Sequence, residues 1–298
     1  MRAVGNIIPP RQAPVLRREK LTQYSSNGKV ITGPSTSGSD QINTKAERNT
    51  MDLKELSKKE LICLVSDAVR AIVTHYGLWF MEAEHQLADL DRAIELEEEV
   101  WKNVISSLLT RVARRFGIKL VDGVPETLAN MSKEELIKLL EDVAKSWLAC
   151  DGFWFQAVER KYGMDTAKRI NDACWARFSY IEAKRIKKRL NLPERGGIAA
   201  LRQALNLRQY ARINRQEIID VGENKIVFRM NECRVQTARR QKGLPEYPCK
   251  SAGIVEYSRF AEGIDPRIKT KCVACPPDPH PEDWWCAWEF ELDEEQEG

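Results

Sequence analysis

The sequence predicts an α+β fold, mainly α: a duplicated helical-hairpin bundle followed by a small Cys-rich α+β module with a short antiparallel sheet. Three observations predict it. Residues 57–80 and 132–155 align without a gap at an offset of 75 and share 10 of 24 positions, the mark of an internal repeat. Segments 225–233 and 284–292 alternate apolar and polar residues with the period of a strand. Five of the eight cysteines fall after residue 230, in a segment whose pattern is no longer helical.

Each repeat opens with a capping box, Ser57 with Glu60 and Ser132 with Glu135. The serine accepts from a first-turn amide while the glutamate reaches back to the cap. Leu61, Leu64, Ala68 and Ile72 then recur at helical spacing, as do Leu136, Leu139, Val143 and Trp147. A Gly-x-Trp-Phe step at Gly77 and Gly152 is expected to kink the helix or pass it to the next. A long second helix follows in each copy, about 91–116 and 165–190, with basic residues at the end that suits them. After a slip of one residue the copies match again at Ala93/Ala167 and Trp101/Trp175. Packed together, the two hairpins are expected to make a four-helix core.

The breaker at 191–197, rich in Asn, Pro and Gly, precedes one more helix, about 198–210. Strands at 225–233, 266–275 and 284–292 and short helices near 234–242 and 252–262 complete the module. The expected domains are therefore 53–130, 131–210 and 211–298. Residues 1–52 are rich in Pro, Ser, Gly and Thr without a sustained period, and read as a disordered tail. Met51 directly precedes the first helical pattern, so translation could start there or at Met1.

Composition excludes some classes. No apolar run near the ~20 residues of a membrane-spanning helix stands out, and prolines and arginines interrupt the N-terminus where a secretory signal would need an apolar core. The chain is therefore expected in the cytoplasm, without a membrane partner, where thiols stay reduced. There is no Gly-rich phosphate loop, no dinucleotide fingerprint and no Gly-x-Ser-x-Gly elbow. Net charge is +3, yet between Lys184 and Lys242 sixteen basic residues stand against five acidic ones. Solvated helix faces account for such a run, and aromatics are not interleaved with it as single-strand binders require. Nucleic acid is accordingly ranked last among partners.

The cysteines carry the chemistry. Cys63, Cys150 and Cys174 lie in helical apolar patterns and read as small buried hydrophobes. Cys272-Val-Ala-Cys275 has the two-residue spacing that lets both thiolates grip one ion. Cys233, Cys249, Cys286 or His280 would have to complete the set. Four thiolates suit Zn or an iron–sulfur cluster alike, and the proline after Cys275 matches ferredoxin-type ligation. Burial alone is the bland alternative, because Cys286 lies on the apolar face of its strand. Glu82 and His85 have the spacing of a di-iron helix, but the repeat offers Ala157 and Arg160 instead, too few ligands. Glu84 and Glu159 recur beside aromatics, where a structural hydrogen bond is expected ahead of acid–base catalysis and a place in a pocket is the alternative.

From the first repeat onward the chain resembles a family of uncharacterised bacterial cytosolic proteins, most recognisably over 231–292. The likeness rests on the Cys-Arg-x-Gln run at 233–236, Pro-Cys-Lys at 248–250, Ile-Asp-Pro-Arg-Ile at 264–268 and Cys-x-x-Cys-Pro-Pro-Asp-x-His-Pro at 272–281. It implies a cytosolic protein and no particular activity. More distantly, the order Cys233, Cys249 and Cys286 on a terminal strand is similar to the L-2-amino-thiazoline-4-carboxylic acid hydrolase family, in which Cys272 and Cys275 have no counterpart. Two readings follow. One is a metal or cluster protein with Cys233, Cys249, Cys272, Cys275 and Cys286 as ligands. The other, implied by the second resemblance, is an enzyme acting on a small acidic molecule held by Arg234, Arg239 or Arg240. The oligomeric state is not legible.

Overall fold

A computed structural model describes residues 52–293. The disordered tail expected over 1–52 and the choice of start at Met51 fall outside the described residues, Asp52 excepted. By internal contacts the chain divides between Ala68 and Val69, and the two parts are taken in turn.

In the first part Asp52 caps a short 3-10 turn, Leu53–Glu55. Ser57 and Glu60 form the anticipated reciprocal box at the start of α1 (Lys58–Leu87). Leu61, Ile62, Leu64 and Val65 on this part of α1 are exposed.

The second part is mainly helical. It holds the rest of α1, α2 (Leu90–Phe116), α3 (Glu126–Ala129), α4 (Lys133–Tyr162), α5 (Met164–Arg189), α6 (Gly197–Leu205), α7 (Arg234–Gln241) and α8 (Lys250–Ile264). A small hairpin, β1 (Leu120–Val121) and β2 (Val124–Pro125), turns at Asp122 and Gly123, both at positive φ. Asp-Gly is the pairing that a tight hairpin turn selects. The larger sheet contains β3 (Arg215–Gly222), β4 (Lys225–Glu232), β5 (Ile268–Ala274) and β6 (Cys286–Leu292) in the order β3-β4-β6-β5, each pair antiparallel. The fold is thus α+β and mainly α, as expected, with β3 and the small β1–β2 hairpin additions to the strands read from the sequence.

Two expectations need correction. Gly77 and Gly152 neither kink nor end their helices; α1 and α4 run through them. Nothing packs within 4 Å of either glycine, so each only loses the ~1 kcal/mol that separates Gly from Ala in a helix. The breaks come later, at Ala88 and Gly163, both at positive φ.

The core is also not a four-helix one. α1 buries no residue and α4 only Ala144. The main core joins α5, α6 and α8 to one face of the sheet, through Leu201, Leu205, Ile226, Phe228, Phe260, Trp288 and Phe290. Register explains it: Ile226, Phe228 and Met230 lie opposite Phe290, Trp288 and Cys286, so the alternation of both strands delivers one apolar face to α8. Tyr257 of α8 stacks on Trp288 with ring centroids 4.8 Å apart.

The hairpins remain recognisable copies. Each carries an apolar groove between its helices, and the two grooves correspond position for position: Ile72 to Trp147, Trp79 to Trp154, Phe80 to Phe155, Val100 to Cys174. A polar pair crosses each groove at the same place. The Tyr76 hydroxyl donates to Glu97 in the first, and the Asn171 amide donates to Asp151 in the second.

Exposure of α1 changes a further reading. By length and composition this helix is long and apolar enough to cross a membrane, where no such run was expected. Asp67 and Arg70 interrupt it, at about 2.5–3.5 kcal/mol each at the centre of a spanning helix. Cys63, Cys150 and Cys174 are exposed rather than buried, because the helix faces that carry them pack against little.

The basic run from Lys184 is largely engaged within the chain. Lys184, Arg185 and Lys188 pair with Asp91, Glu97 and Glu98 of α2. Arg202 pairs with Asp220, and Arg208 is buried between Glu182 and Glu256.

Candidate functional site

The second hairpin and the module enclose an open cleft of about 440 Å³. Asp151, Phe155 and Glu159 of α4 and Asn171 and Trp175 of α5 form one wall. Arg234, Gln236 and Arg239 of α7, with Tyr247, form another. The floor is sheet and α8: Met230, Cys286 and Trp288 beside Cys249, Gly253 and Glu256. Positions 249, 253 and 256 share one stripe of α8 because a helix repeats every 3.6 residues.

The five module cysteines converge. Cys275 and Cys286 belong to the main core, and Cys233, Cys249 and Cys272 pack against it. Four of them, Cys233, Cys249, Cys275 and Cys286, line the cleft, whereas Cys272 does not. A register shift between Cys272 and Ala274 changes the phase of β5 just before Cys275, with Ala274 still paired to Ala287. Among the described residues no group of three or more His, Cys, Asp or Glu is disposed to hold a metal ion. His280 lies outside the cleft lining, 3.3 Å from Glu246 and against Trp285. Glu82 and His85 are exposed partners on α1. Glu84 receives Arg177, as a structural role requires. Of the anion-binding candidates, Arg234 and Arg239 line the cleft, while Arg240 lies over the Trp285 ring, 4.3 Å from its centroid.

Cys249 has the most distinctive surroundings. It is the N-cap residue of α8, where the helix dipole favours negative charge, although its side chain makes no cap hydrogen bond and the Lys250 amide is taken by the Pro276 carbonyl. Its Sγ lies 3.5 Å from Cys275 Sγ, and the Gln236 side-chain amide donates to it over 3.5 Å. Gln236 is fully buried and fixed by Tyr247, donating to its carbonyl at 2.8 Å and accepting from its amide at 2.9 Å. The Cys275 thiol and the Gln236 amide hold the Cys249 thiol below its ordinary value, against burial. The same contacts, from Cys249 and then Cys286, push the Cys275 thiol far up. Burial pushes Cys233 up to about 12. Of these three thiols, Cys249 is the one whose contacts favour its anion, while Cys233 and Cys275 are pushed the other way.

A second titratable group faces the cleft. Burial raises the Glu256 carboxyl to about 7, against the pull of Arg208. Arg208 lies 2.8 Å from Glu256 and donates to Glu182 at 2.9 Å. A carboxyl in this range can carry protons near neutral pH.

Residues 54–130 and 129–292 match DUF6125, a family of unknown function. The chain belongs to this family. The two matched stretches meet at the junction of the two hairpins. No curated protein matches the chain, and no solved structure matches it.

Gln236 and Glu256 were not read as functional from the sequence. The Cys-Arg-x-Gln run did single out Gln236, and Glu256, seven residues beyond Cys249, is the polar member of an otherwise small and aromatic stripe. Those were the available signals.

Proposed function

We propose that this protein is a cytoplasmic enzyme acting on a small carboxylate-bearing molecule, with Cys249 as the nucleophile. The observation that carries this reading is the Cys249 thiol at the head of α8, supported by Gln236 and Cys275 and facing an open, ligand-sized cleft. The thiolate is the reactive form of cysteine, and a helix N-terminus with hydrogen-bond donors favours it. Arg234 and Arg239 line the same cleft and supply the planar donors that suit a carboxylate. The Cys249 sulfur would attack an electrophilic carbon of the substrate, and Glu256 would carry the proton that a departing group requires. The distant likeness to the thiazoline hydrolases, through Cys233, Cys249 and Cys286, agrees with a hydrolytic outcome. A screen of small carboxylates with electrophilic C=N or C=O groups tests it. Turnover that Cys249→Ser abolishes is the expected result; turnover that survives the change overturns it.

A second reading is a thiolate-bound Zn ion or iron–sulfur cluster. The convergence of Cys233, Cys249, Cys275 and Cys286 on one cavity favours it, and Cys272, outside the cleft lining, would be the least suited of the five. Metal analysis and a visible spectrum of anaerobically purified protein test it. A colourless, metal-free and fully folded product overturns it.

A further inference from the structure

Beyond the nucleophile itself, Cys249 has a second thiol in contact, 26 residues away in the chain and 3.5 Å away in space. That separation is about 1.5 Å more than a disulfide bond, which is about 2.05 Å long. Both residues line the open cleft, Cys249 half-buried and Cys275 buried, so a small reagent meets Cys249 first. The two also differ in setting. Cys249 stands at the head of a 15-residue helix and receives an amide hydrogen bond, whereas Cys275 is buried in the main core. An attacking thiolate followed by an adjacent resolving thiol is what thiol–disulfide exchange requires.

We propose that Cys249 and Cys275 are a dithiol couple that exchanges with small-molecule disulfides. Cys249 thiolate attacks one sulfur of the disulfide, forming a mixed disulfide and releasing the first small thiolate. Cys275 then gives up its proton to the departing second thiolate, and its sulfur attacks Cys249 Sγ. The net result is one intramolecular disulfide and two reduced small thiols, a two-electron transfer. This deepens the reading of Cys249 as the reactive thiol, because the closed disulfide removes that nucleophile reversibly.

The test uses the reduced full-length protein and oxidised glutathione as the probe. Intact mass is expected to fall by two hydrogens, with peptides carrying Cys249 and Cys275 joined after digestion without reductant, and dithiothreitol is expected to restore the starting mass. Cys275→Ser is expected to accumulate glutathione on Cys249, Cys249→Ser to form no joined peptide, and Cys63→Ser to behave as the parent. A parent protein that stays fully reduced, or that is modified only on the exposed Cys63, Cys150 and Cys174, overturns the proposal. The wild-type peptide map decides even where a variant fails to fold. Joined peptides without turnover of any carboxylate would sink the proposed enzyme function and leave the dithiol couple standing.

Discussion

Gly253 on α8 faces the Trp288 indole so closely that a Cβ at that position would lie 2.5 Å from ring carbon Cζ2. No real Cβ contact is that short. The absence of a side chain at 253 therefore lets the sheet and α8 close against each other beside Cys249. Gly253→Ala is expected to displace Trp288 and destabilise the fold by about 1–3 kcal/mol, the usual range for overpacking a core. Chemical denaturation followed by tryptophan fluorescence checks it. An unchanged midpoint would mean that the indole moves aside freely.

Arg208 is buried between Glu182 and Glu256. Removing it leaves two carboxyls without their counter-charge, so Arg208→Met is expected to cost about 3–5 kcal/mol. Adding Glu256→Gln to that variant is expected to change little further, because a carboxyl already raised to about 7 beside Arg208 takes up a proton once the guanidinium is gone. Equilibrium unfolding of the single and double variants gives the comparison.

Asp265 anchors the turn after α8. It accepts from the Gly197 amide at 2.9 Å and from Arg267 Nη2 at 2.8 Å. Burial opposes ionisation, but these donors outweigh it and hold the carboxyl below its usual value. A carboxyl lowered on folding stabilises the native state above its unfolded value, about 3.9, and that stability is lost as pH falls through the lowered folded value. Asp265→Asn is expected to lose about 2–4 kcal/mol at neutral pH. The gap from wild type should narrow as pH falls below about 4. Urea titrations across that window measure it.

If the cysteines hold a metal, Cys249→Ser and Cys275→Ser are expected to lower the zinc or iron content of anaerobically purified protein. Cys63→Ser, which removes an exposed thiol of α1, should leave it unchanged. Elemental analysis of the three variants separates the outcomes, and equal metal content in all of them counts against a thiolate site.

Much of the fold was legible because its signals are local. The capping boxes at Ser57 and Ser132 and the 3.6-residue spacing after them locate α1 and α4, and alternation locates β4 and β6. β3 was missed because Arg215–Gly222 is the half-exposed edge of the sheet and its alternation is weak. The helix bend assigned to Gly77 and Gly152 failed because glycine permits a break without requiring one. Convergence of the cysteines was legible in outline, since Cys286 shares a strand face with Trp288. The cleft itself was not. Asp151, Asn171 and Trp175 reach it from helices read only as scaffold, and nothing in their own neighbourhood announces that α7 and α8 come to meet them.

The account stands on the reactivity of Cys249. The rate of iodoacetamide labelling at each cysteine, read by peptide mass spectrometry across pH, tests it most directly. Cys249 is expected to label first near neutral pH, with an inflection below that of a free thiol, because Cys275 and Gln236 lower it. A small carboxylate that fills the cleft should slow that labelling and leave Cys63 unaffected. Labelling of Cys249 no faster than that of an unfolded cysteine peptide, or slower than that of the exposed Cys63, would contradict the account.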